Sequence, residues 1–262
     1  MNGEFVNELV HLLIRWAHVV AGVIWIGHLY FFNWVNAHFV KTLDAESKKK
    51  VVPELMPRAL YFFRWGAVWT WISGMILLGY VYYMGQFMAE DPAKKGMAIM
   101  RASILVIVIP VIYDVLWRRV FKAREQLGVA VSTLLMAVTT WYLASFLPPR
   151  AAFIHLGAAF GTAMAMNVWM RIWPAQRKII AAIKAGKAPD ADLVATAGLR
   201  SKHNTYMSVP LLFTMVSNHS PLFFGFAPDG NQLGWVLLVV LVLVAWGCTK
   251  LIYNKSGKVT GF

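Results

Sequence analysis

Seven histidines in a chain this apolar are the residues best able to do chemistry. An ionisable side chain held within a bilayer is costly and tends to be kept for function. Position along the apolar runs sorts the histidines by depth. His18, His155 and His219 fall within one or two helical turns of the outer ends of their runs, and His28 lies near a run's middle. His38 and His203 lie near the opposite face, and His11 sits at the outer edge. On one helix, His18 and His28 are separated by about 15 Å, and His203 and His219 by about 24 Å. Neither pair can hold one small metal ion. A haem sets a different requirement, one axial imidazole from each of two facing helices.

His18 and His155 suit that requirement. Each lies early in an apolar run and precedes small residues, His18-Val-Val-Ala-Gly-Val-Ile-Trp-Ile-Gly in one case and His155-Leu-Gly-Ala-Ala-Phe-Gly-Thr-Ala-Met in the other. The two stretches read as a weak internal repeat whose helices run in the same direction. Ala21, Gly22, Gly157 and Ala158 would let a flat macrocycle approach the backbone, and Arg15, one turn outward of His18, is placed to pair with propionates. His18, His155 and His219 are therefore expected to ligate or to catalyse. For His28 and His203 a ligand role and a structural one both stay open, while His11 and His38 read as interfacial.

Other chemistries find less support. The lone cysteine, Cys248, lies in the last apolar run, so neither a disulfide framework nor a cysteine-held iron–sulfur cluster can be built. No Cys-x-x-Cys-His occurs for covalent haem attachment. There is no Ser-His-Asp order, no glycine-rich phosphate loop and no acidic pair within an apolar run, which disfavours hydrolysis, phosphate chemistry and proton-driven transport. Asp114, four residues before Arg118, suits a helix-end ion pair. Asn33 and Asn167 lie deep in their runs, to hydrogen-bond across helices or to touch a ligand.

The elements that must position these residues are membrane helices. The 262-residue chain is 59% hydrophobic, with a mean hydropathy of +0.57. Seven stretches approach the roughly 20 apolar residues that a crossing takes. They lie near 12–38, 59–83, 102–117, 127–147, 151–173, 203–224 and 233–253. Lys and Arg fall mainly into alternate gaps. One side holds Lys41, Lys48, Lys49, Lys50 and Arg58, then Arg118, Arg119, Lys122 and Arg124, then Arg171, Arg177, Lys178, Lys184, Lys187, Arg200 and Lys202, and finally Lys250, Lys255 and Lys258. The other side holds Lys94, Lys95, Arg101 and Arg150. Short basic loops stay cytoplasmic. The expected fold is thus all-α and polytopic, with seven transmembrane helices, N-out/C-in, in one membrane domain over 1–262.

This orientation accounts for the net charge of +13 without nucleic acid, for which no soluble basic face exists. The first run is too long for a cleaved signal peptide and contains Arg15. Pro110 and Pro210 should each kink a span. Among the twelve tryptophans, some should line an internal cavity, since two interfacial belts need fewer. The polar stretch from Pro174 to Lys202 mixes Ile179, Ile180 and Ile183 with Lys178, Lys184 and Lys187. It reads either as a short helix on the anionic inner leaflet or as a solvated connector.

Three stretches carry a family resemblance. They are His18-Val-Val-Ala-Gly-Val-Ile-Trp-Ile-Gly-His28, Asn167-Val-Trp-Met-Arg-Ile-Trp-Pro-Ala-Gln176 and Lys202-His-Asn-Thr-Tyr-Met-Ser-Val-Pro-Leu-Leu-Phe-Thr-Met-Val-Ser-Asn-His219. Together they resemble the membrane domain of the bacterial membrane-bound urate oxidases (urate hydroxylases), over nearly the whole chain. The opening His-x6-Trp-x-Gly pattern is similar, more loosely, to small membrane proteins that hold b-type haem through a first-helix histidine. The resemblance implies a multi-pass protein of the bacterial inner membrane that oxidises urate to 5-hydroxyisourate and passes electrons to a cytochrome c. It carries His18, His28, His155, His203 and His219 across as site residues, with haem b as cofactor. The family's C-terminal cytochrome c domain has no counterpart before Phe262, so the electron acceptor is expected to be a separate protein. Two other readings stand beside this one, an accessory b-haem subunit of a larger respiratory or oxidase complex and a histidine-lined transporter or metal-handling protein. Specific catalytic residues are not assigned.

Overall fold

A computed structural model describes residues 3–85, 87–89, 91–122, 124–219 and 234–259. Among them the chain forms seven helical runs and no strand. We number these α1 (Gly3–Thr42), α2 (Ala45–Leu77, continuing as a π-helix over Leu78–Tyr83), α3 (Pro92–Arg119), α4 (Glu125–Ala144), α5 (Pro149–Lys184), α6 (Ala191–Ser217) and α7 (Gly234–Ser256).

Five of the seven, α1, α3, α4, α5 and α7, are long and apolar enough to cross a membrane. Their exposed surface agrees with that use. On α1 alone Phe5, Leu9, Leu12, Leu13, Trp16, Val20 and Val23 are exposed, Val23 by 68%. So continuous an apolar surface is unstable in water and at home in lipid. The expected second and sixth spans coincide with α2 and α6, which fall short of the same hydropathy for a visible reason. The first carries Arg64 among Tyr61, Trp65, Trp69 and Trp71, and the second carries Arg200, Lys202, His203, Asn204, Thr205 and Ser208. Positions 220–224 of the sixth expected span and 233 of the seventh lie outside the described residues.

The stretch from Pro174 to Lys202 is helical over most of its length. The fifth run continues as helix to Lys184, and α6 begins at Ala191, which leaves only 185–190 between them. Ala175, Ile179 and Ala197 are buried together, with Ile183 and Leu193 packed against them. The isoleucines thus close a helical hairpin. Gly186 turns it with a φ of 68°, the left-handed conformation glycine adopts without strain at a helix end. Helices run through Pro110 and Pro210.

At the start of α2, Asp44 accepts hydrogen bonds from the Ser47 amide at 2.8 Å and the Ser47 hydroxyl at 3.0 Å. These bonds hold its carboxyl below the usual carboxylate range. A depressed folded-state pKa means that the cap is in place at neutral pH and is lost as pH falls through that lowered value. The Ser47 amide resonance is expected to shift on acidification, and Asp44→Asn, which keeps an acceptor without titrating, is expected to abolish the shift. A pH-independent Ser47 amide in the unaltered protein would count against the cap.

The chain divides into two compact units. The first comprises 1–73, 164–206 and 247–262, and the second 74–163 and 207–246. Three π-helical stretches interrupt the runs, Phe31–Asn36 and Val168–Ile172 in the first unit and Leu78–Tyr83 in the second. Single π turns inside α-helices are rare and frequently mark functional positions. Here they carry Asn33, Asn36, Trp169, Tyr82 and Tyr83.

Candidate functional site

In the first unit, α1 and α2 approach very closely. A Cβ placed on Gly66 would come within 3.1 Å of the Trp25 nitrogen and 3.3 Å of the Ala21 carbonyl oxygen. Small residues permit this backbone approach, as they do between membrane helices in general. It brings Ser73 of α2 to His18 of α1, with 3.1 Å between Oγ and Nδ1. With the Ser73 hydroxyl donating to the Trp69 carbonyl at 2.6 Å, Oγ is free to accept from Nδ1 of His18, and the tautomer with its proton there leaves Nε2 as a lone pair.

The same logic fixes two further histidines. His155, fully buried in the second unit, places Nδ1 2.7 Å from the Ala151 carbonyl oxygen. His28 places Nδ1 2.7 Å from the Ile24 carbonyl oxygen and stacks on Phe62 with centroids 6.0 Å apart. A carbonyl can only accept, so in each neutral ring Nδ1 holds the proton and Nε2 is the basic atom. Imidazoles that bind metals through Nε2 are held in this way, their other nitrogen donating to a carbonyl or similar group. The donor chemistry of His18, His28 and His155 therefore fits axial ligation of haem iron. At His155 the lone pair faces the Tyr83 hydroxyl at 3.3 Å, while Ser103 donates to that hydroxyl at 3.0 Å. Tyr83 stacks on the imidazole and Tyr82 meets it edge-on.

The remaining site residues are placed less suggestively. Arg15 is exposed and lies 3.0 Å from His11 Nε2, one turn back on α1. His219 is exposed just beyond the end of α6, and His203 is half-buried within it. His38 lies 3.3 Å from the Ser256 hydroxyl. His18 and Arg15 belong to the first unit, as do His28 and His203, whereas His155 and His219 belong to the second. Among the described residues no three His, Cys, Asp or Glu side chains gather as a metal site.

Asn33 and Asn167 bond across helices. Asn33 donates to the Ser201 hydroxyl at 2.8 Å and accepts from Tyr253 at 2.9 Å. Asn167 donates to Asn204 at 2.8 Å, and Asn204 donates onward to the Met164 carbonyl at 3.0 Å. Asp114 is buried while Arg118 is exposed. Of the tryptophans, Trp25 and Trp117 are buried, and Trp16, Trp65, Trp69 and Trp141 are exposed.

Sequence reading missed Ser73, Tyr82, Tyr83, Asn204 and Tyr253. Ser73 and Tyr83 had no signal in their types, because a serine or tyrosine in an apolar run is ordinary. The Asn204 signal was available, since an amide in a buried run requires a partner as surely as Asn167 does.

Comparison with curated proteins and with solved structures returned no match. The chain does match the profile described as urate oxidase N-terminal, over residues 4–51 and 43–260. These matches take in α1 through α7, with every histidine placed above. The chain accordingly belongs to the urate oxidase N-terminal family.

Proposed function

We propose that this chain is a membrane-bound redox protein that oxidises urate to 5-hydroxyisourate and delivers the electrons to a cytochrome c. Family membership over nearly the whole length supports the urate assignment. The observation that carries the redox assignment is that His18, His28 and His155 each engage Nδ1 with a neighbouring oxygen, which leaves Nε2 as the atom able to ligate. Five helices long and apolar enough to cross a bilayer support placement in a membrane, which we assign to the bacterial inner membrane with the N-terminus outside.

In this reading His18 and His155 are the residues that would each offer Nε2 to the iron of a b-type haem, with His28, His203, His219 and Arg15 in supporting roles. Bound haem would supply one-electron acceptance at the iron. The residues' own contribution is to fix ligand orientation. Ser73 and the Ala151 carbonyl would hold the Nδ1 protons, which orients the rings with Nε2 as the remaining ligand atom. The overall change is balanced when water supplies the new hydroxyl oxygen and two electrons and two protons leave urate.

Purified protein supplied with urate and oxidised cytochrome c is expected to reduce the cytochrome at a rate that depends on urate. Xanthine, which lacks the C8 oxygen, is expected to be inactive. A haem spectrum without urate-dependent reduction would replace this reading with that of an accessory electron-transfer subunit.

A further inference from the structure

We propose that Arg64 and Arg177, gathered around Trp173 in the first unit, form a binding site for the phosphate of an anionic phospholipid. Arg64 places its guanidinium carbon 4.0 Å from the Trp173 ring centre, and Arg177 places its own at 5.9 Å. Two cations thus share one indole. Arg64 is ringed further by Tyr61 at 5.8 Å, Trp169 at 5.9 Å and Trp65 at 6.0 Å. Aromatic faces attract a cation but do not neutralise it. Arg64 Nε is buried and has no hydrogen-bond partner among the described residues. The ion pairs found among those residues, Lys50–Glu46, Arg58–Glu54 and Lys94–Asp91, involve neither arginine. Among the described residues the cluster therefore holds two positive charges with no acidic partner.

Geometry selects the kind of anion. The Trp173 face is already covered by the Arg64 guanidinium, so a flat ligand has no free ring to stack on there. A guanidinium takes an oxyanion end-on at its N–H edge, and the exposed Arg177 is placed to meet one from outside. Location selects its source. Arg64 lies six residues beyond Arg58, about 9 Å along the helix, where the basic end of α2 gives way to its apolar part. Tyr61 and Trp65 are exposed beside it, the arrangement of aromatic side chains at a membrane interface. Trp173 opens the segment whose Ala175 and Ile179 are buried and whose Arg177 and Lys178 are exposed. Basic residues at that level meet the negatively charged headgroups of the cytoplasmic leaflet.

Native mass spectrometry of the full chain in detergent, titrated with phosphatidylglycerol or phosphatidylcholine, tests the proposal. The unaltered protein is expected to retain phosphatidylglycerol at least tenfold more strongly than phosphatidylcholine. Arg64→Gln is expected to remove that preference, Arg64→Lys to weaken it, and Arg177→Gln, at an exposed position, to reduce it severalfold without disturbing the fold. Inorganic phosphate and urate serve as competitors. Failure of millimolar amounts of either to displace the lipid supports a headgroup site, whereas displacement by urate or free phosphate overturns it. Equal retention of the two lipids, or an undiminished preference in both Gln variants, overturns it as well.

Discussion

Purified His18→Ala protein is expected to lose the Soret band and the reduced α-band of b-type haem that the proposed function predicts for the unaltered protein, and His155→Ala is expected to do the same. His38→Ala, whose ring contacts Ser256, is expected to keep both bands. On the proposed haem reading the effect should be near-total, because an imidazole that ligates iron would have no substitute in apolar surroundings. His155 is fully buried, so its truncation also opens a cavity. Loss of haem must therefore be separated from loss of fold. Added imidazole should restore the spectrum of a folded variant, and far-ultraviolet circular dichroism should be unchanged. Tyr83→Phe provides a further control. It removes the hydroxyl facing Nε2 but leaves the lone pair, so haem should be retained. Unaltered protein without any Soret band would defeat the haem assignment, and urate-dependent cytochrome reduction would then need another route.

Asn204→Leu should be among the most destabilising single changes in the first unit. Its side chain is fully buried, and Asn167 is only 1% exposed. Leucine has a similar volume, so packing changes little while the Asn167 amide loses this acceptor and the Met164 carbonyl loses a donor. Stranding buried polar groups costs about 1–3 kcal/mol, against roughly 0.6 kcal/mol for an average hydrogen bond between membrane helices. Asn167→Leu should cost a comparable amount. The double variant Asn167→Leu/Asn204→Leu removes both amides and is expected to lie well above the sum of the two losses, with part of the stability recovered. Thermal unfolding in detergent measures all three. Strict additivity would show that the two side chains are not coupled.

Much of the architecture is legible in particular residues. Apolar runs separated by Lys48–Lys49–Lys50, Arg118–Arg119 and Arg177–Lys178 mark out helices and their ends, because a segment of that length and composition has few alternatives. The centres of the seven expected spans all fall in helical runs. Their ends were less legible, most clearly at Ile179, Ile180 and Ile183. Isoleucines among lysines suit a leaflet surface and a helical hairpin equally well, and only the partner, Ala197 with Leu193, distinguishes them. The π turns at Asn33 and Tyr83 left no mark, since an extra residue in a turn changes neither composition nor periodicity enough to be seen.

The sequence by itself determined that this is an all-helical chain of long apolar segments with histidines set inside them, and it carried the family likeness that the profile match bears out. Hydropathy and charge act segment by segment, so both can be read along one dimension. Tertiary structure alone decided which side chains meet the rings of His18 and His155. Whether Nδ1 or Nε2 carries the proton depends on the atom that meets the ring, and for His18 that atom belongs to Ser73, on another helix held close by Gly66. Tyr83 reaches His155 across a comparable separation in sequence. Contacts of that kind follow from how helices pack, which no local pattern encodes.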